Sequence, residues 1–106
     1  MKKLLLLVTC HFLLLATRDV HAASVSAGAA PPGDAKTVAT TIIKYNFPQC
    51  KRVTTARRAP DGTIRANCDG TDYYVFTMYN AKEGRMFEVA LNCAESKRLL
   101  GIECPR

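Results

Sequence analysis

Four cysteines, Cys50, Cys68, Cys93 and Cys104, are spaced 18, 25 and 11 residues apart in this chain of 106 residues. They form no C-x-x-C pair, and the chain's two histidines, His11 and His21, fall near its start. Zinc ligation and thioredoxin-like redox chemistry are therefore poorly served. An even number of separated cysteines fits a disulfide framework in an oxidising compartment. Of the three possible pairings, Cys50–Cys68 with Cys93–Cys104 is preferred, and each loop contributes about 3 kcal/mol in the chain-entropy model. No metal and no cofactor are expected.

Other chemistry is thinly represented. Residues 1–22 read as a signal peptide: Lys2 and Lys3, an apolar run over residues 4–16, then Val20-His21-Ala22 as a small-x-small cleavage site. Cleavage near Ala27 is the alternative. The run is too short to span a bilayer. Removing residues 1–22 discards Cys10 and both histidines and takes the net charge from +6 to +4. Without histidine the usual base for a serine or cysteine nucleophile is gone. Ser96 beside Lys97 makes a poor dyad, because adjacent helical residues point in different directions. Asp61, Asp69 and Asp72 lie in glycine-containing turns, where aspartate is favoured for backbone reasons. The composition points away from an enzyme.

Elements must position whatever remains. Residues 23–33 are small, proline-containing and almost without large apolar side chains, which reads as a flexible leader. Residues 34–106 are one disulfide-stapled domain, too small for a large core without such staples. Asp34 caps a helix that ends by Asn46, with Ala35, Val38, Ala39, Ile42 and Tyr45 along one stripe. The period then falls to two. Strands are expected at residues 51–59, 63–68, 73–79 and 85–92, with turns at Pro60-Asp61-Gly62, at residues 69–72 and at residues 80–84. A short helix over residues 94–100 ends at Gly101. The fold class is α+β, a helix on a four-stranded antiparallel meander with a short C-terminal helix.

Short turns would fix two sheet faces. Val53, Ile64, Ala66, Cys68, Val75, Phe87, Val89 and Leu91 would seat the helix. Arg52, Arg58, Arg65, Tyr74, Phe76, Met78, Met86, Glu88 and Ala90 would face away. Five cations and one anion fall between Cys50 and Arg65, so the first hairpin carries the net charge of the exported chain. Arg58 and Arg65 would oppose each other across it, with a bound anion or Glu88 as compensation. The basic strand guards a sheet edge or forms a binding patch. The aromatic stripe is either an interface or the seat of the C-terminal helix through Leu99 and Leu100.

Residues 34–89, through AKTVATTIIKYNFP, VTTARRAPDGTIRA and YYVFTMYNAKEGRMFEV, resemble a PepSY-type module. The chain is also similar to small exported bacterial proteins with four cysteines, a resemblance that implies no activity. The PepSY resemblance implies a helix on a meander, an association with peptidase propeptides, and an inhibitory or binding role outside the cytoplasm, directed at a peptidase or another protein. The expected function is thus a periplasmic or secreted binding module, with Arg52, Arg58, Arg65, Tyr74, Phe76 and Met78 as its surface. Docking on anionic lipid headgroups or polysaccharide through the first hairpin is the alternative. Nucleic acid is not expected as a ligand, nor is stable membrane insertion after cleavage.

Overall fold

The computed structural model describes residues 27–106. The signal peptide expected at residues 1–22, its cleavage site and the first part of the leader lie outside the described residues.

Helix α1 (Ala35–Asn46) starts where Asp34 accepts hydrogen bonds from the Thr37 N–H and hydroxyl, at 3.0 and 2.9 Å. Thr40 and Thr41 donate back to the carbonyls of Lys36 and Thr37, which satisfies their hydroxyls without favouring the helix, so its β-branched residues are offset by packing of its apolar face. Ala39, Ile42 and Ile43 face the core. Tyr45, expected on that stripe, is 87% exposed.

Strands β1 (Val53–Arg58), β2 (Ile64–Cys68), β3 (Thr71–Asn80) and β4 (Arg85–Asn92) form an antiparallel meander in the order β1-β2-β3-β4. Helix α1 packs on Val53, Ile64, Ala66, Cys68, Tyr73, Val75 and Ala90. The Cys50–Cys68 disulfide lies inside this core and ties the helix exit to the end of β2. Helix α2 (Cys93–Leu100) is capped by Asn92 and stopped by Gly101 at φ 67°, and Cys93–Cys104 returns the tail to it. The α+β fold and both disulfide pairings are as expected. Two disulfides place the chain in an oxidising, non-cytoplasmic setting. No helix among the described residues is long and apolar enough to cross a membrane.

Two strands present faces other than those expected. In β4, Asn80 pairs with Arg85, so the connection holds four residues, not five. Asn80 keeps a strand backbone while its side chain accepts from the N–H groups of Lys82 and Glu83, holding the turn from inside the strand. The one-residue difference turns Met86, Glu88 and Ala90 toward the helix side. Phe87, Val89 and Leu91 turn away from it, opposite Met78, Phe76 and Tyr74. In β1, a register irregularity between Val53 and Thr55 shifts the alternation. Val53 and Ala56 both reach the core, and Arg58 pairs with Ile64 on the helix side. Arg57, not Arg58, opposes Arg65.

The leader is also shorter than expected. Residues 28–33 belong to the fold: Gly28 exchanges two backbone hydrogen bonds with Thr77, and Ala30 is buried. Gly62 makes room for this segment, since a Cβ there would lie 2.5 Å from that of Ala29.

Candidate functional site

The residues expected to form one binding face are dispersed. Arg58 is a clamp: its guanidinium donates to the carbonyls of Ala30, Pro31, Gly33 and Gly62 at 2.7–3.3 Å. Tyr74 and Phe76 are 3% and 0% exposed, so neither is offered to a partner, and burial pushes the Tyr74 phenol above its ordinary pKa. Leu99, expected to help cover them, is itself exposed, but the tail does return over this face, where Arg65 donates to the Pro105 carbonyl. Met78 is half-buried, and Arg52 is exposed ahead of β1. Ser96 is fully buried and donates to the Ile102 carbonyl, which makes it a structural tie.

Two concave surfaces take their place. The first is a groove of about 460 Å³ between α1 and β4, with Ile42 and Tyr45 on one wall and Arg85, Met86, Phe87 and Glu88 on the other. Consecutive strand residues point to opposite faces. A groove lined by four in succession therefore reaches the backbone edge of β4 and not one face alone. β4 is the last strand of the sheet. Thr77 bonds Gly28 through both its N–H and its C=O, so both groups point away from β4. Thr77 and Glu88 are then a non-hydrogen-bonded pair, and the N–H and C=O of Glu88 point outward. The two-residue repeat gives Met86 the same orientation. Exposed apolar side chains gather here: Tyr45, Met86 at 55% and its cross-strand partner Tyr79 at 62%. Arg85 lies over the Phe87 ring, 4.5 Å from its centroid.

The second is a cleft of about 420 Å³ on the opposite face, over β1 and β2, lined by Thr55, Arg57, Arg65, Asn67 and Asp72. Arg65 pairs with Asp72 at 2.5 Å, and Asn67 donates to the other carboxylate oxygen at 2.9 Å. The hydrogen bonds from Arg65 and then Asn67 hold the Asp72 carboxyl below its ordinary pKa. Asp72, a turn residue by its sequence context, is thus the counter-charge of Arg65 and takes the part expected of Glu88, while Arg57 opposite has no carboxylate partner among the described ion pairs. Neither surface contains a cluster of metal-ligating side chains, and none occurs among the described residues.

Of the six expected contact residues, only Arg65 lines either surface. Arg57 was hidden by the β1 irregularity, and Met86 by the length of the turn before β4. Tyr45 sat on an apolar helical stripe that suggested burial. No family model, curated protein or solved structure matches this chain.

Proposed function

We propose that this protein is an exported, non-enzymatic binding module that captures an extended segment of a partner protein along β4, in the groove against α1. Its site of action is the periplasm or the extracellular space. One observation carries the reading: an edge strand with outward backbone groups at Met86 and Glu88 borders an apolar groove walled by an exposed tyrosine. Unpaired strand backbone recognises another extended chain through main-chain hydrogen bonds, and the adjoining groove selects among its side chains. Glu88 shares the groove face with Met86, which favours a segment whose apolar anchor has a base beside it, while Arg85 lies over Phe87. The PepSY-type pattern supports a binding role by analogy, with a peptidase as the partner to be blocked.

Selection of peptides from a random library on the mature protein tests this. Selected sequences are expected to carry an apolar anchor with a basic residue beside it. Met86→Glu should weaken their binding tenfold or more, about 1.4 kcal/mol, with the thermal midpoint little changed because Met86 is largely exposed. Moderate salt should alter the affinity little, since backbone pairing and apolar contact dominate. Selected peptides that bind Met86→Glu as tightly as the wild type would contradict the assignment.

A further inference from the structure

Across β1 and β2, Arg57 lies directly opposite Arg65 and Thr55 directly opposite Asn67. Directly opposed side chains start about 5 Å apart and the next pair on the same face about 7 Å away. These four side chains therefore converge on one small volume, the cleft on the face away from α1. All four carry hydrogen-bond donors.

Their donors are only partly spent. Arg65 uses its Nε and one terminal nitrogen on Asp72, and its other terminal nitrogen on the Pro105 carbonyl. Asn67 spends one amide hydrogen on Asp72. The one carboxylate in the cleft is thus occupied by three donor atoms. Among the described residues no carboxylate pairs with Arg57, which is exposed. Two opposed guanidiniums with one saturated carboxylate leave a net positive charge, and the unspent N–H groups of Arg57, Arg65 and Asn67 with the Thr55 hydroxyl leave a surplus of donors. A donor-rich cationic cleft matches a group that only accepts: an oxyanion. Arg57 has a complete planar fork to offer it.

We infer that the Arg57–Arg65 cleft is a binding site for a small oxyanion, a phosphate, sulfate or carboxylate group, held chiefly by Arg57 and bordered by Thr55, Asn67 and the Arg65–Asp72 pair. It lies on the opposite sheet face from the β4 groove and does not depend on it.

Amide and arginine side-chain NMR of the mature protein, titrated with sodium phosphate at ionic strength held constant with sodium chloride, reads this directly. Saturable shifts are expected at Thr55, Arg57, Arg65 and Asn67, with the Arg57 Nε–H moving most. Parallel titrations with sulfate and acetate distinguish a tetrahedral oxyanion from a carboxylate as the preferred group; saturable binding of any of the three at these residues supports the site. Arg57→Ala, an exposed substitution in an otherwise unchanged spectrum, should weaken the tightest of them tenfold or more. Shifts that fail to saturate with all three, that spread evenly over the molecule's other lysines and arginines, or that persist unchanged in Arg57→Ala would overturn the inference.

Discussion

Arg57 and Arg58 are adjacent, identical in chemistry and opposite in role. Arg58 ties the chain entering α1 to the turn between β1 and β2, through four carbonyls that no other side chain reaches among the described hydrogen bonds. Charged donors to backbone oxygens are worth about 1.5–3 kcal/mol apiece at most, and bonds sharing one guanidinium are not additive. Arg58→Ala is therefore expected to cost about 2–3 kcal/mol. In a domain this small that lowers the melting midpoint by roughly 10 °C or more. Arg57→Ala should stay within about 0.5 kcal/mol of the wild type. Thermal denaturation of the two variants side by side is the check; equal midpoints would mean that the clamp contributes nothing. A charge count over the hairpin cannot separate these two arginines. The bulge in β1 decides which one faces solvent.

The same lesson holds for the strands and helices. Their types, order and turns follow from the period of the apolar residues, from Asp34 and Gly101 at helix ends, and from Pro60-Asp61-Gly62. Asn80 shows where the sequence stops being legible. Its residue type marks a turn, yet its backbone continues β3 while its side chain does the turning, and the face of β4 depends on that one residue. The candidate site was less legible than the fold because each surface depends on register. The disulfides differ in placement as well: Cys50 and Cys68 are 4% and 2% exposed within the core, whereas Cys93 and Cys104 are half-buried at the C-terminal tail. Mild reduction of the native protein should open Cys93–Cys104 first, because a reductant must reach the sulfur it attacks. Alkylation and peptide mass mapping should find labels on Cys93 and Cys104 while the fold persists. Labels on Cys50 and Cys68 at the earliest times would contradict this.

Taken whole, the molecule presents two unlike surfaces on one small stapled sheet. The helix side ends in an apolar groove at an open strand edge, and the opposite side holds a cationic cleft over the first hairpin. Helix α2 packs on β3 and β4, and the tail reaches β2 through the Arg65–Pro105 hydrogen bond, so the cleft opens over the first hairpin beside the tail. Backbone pairing at β4 is the central claim, and it makes a prediction at single amides. Phe87, Val89 and Leu91 already turn their N–H groups toward β3, while those of Met86 and Glu88 point outward. Hydrogen exchange should be measured at residue resolution, with and without a library-selected peptide. The account predicts that the peptide slows exchange at Met86 and Glu88 and changes it little at Phe87 and Val89. Slowing at Arg57 and Arg65 with Met86 and Glu88 unaffected, or no slowing anywhere along β4, would contradict it.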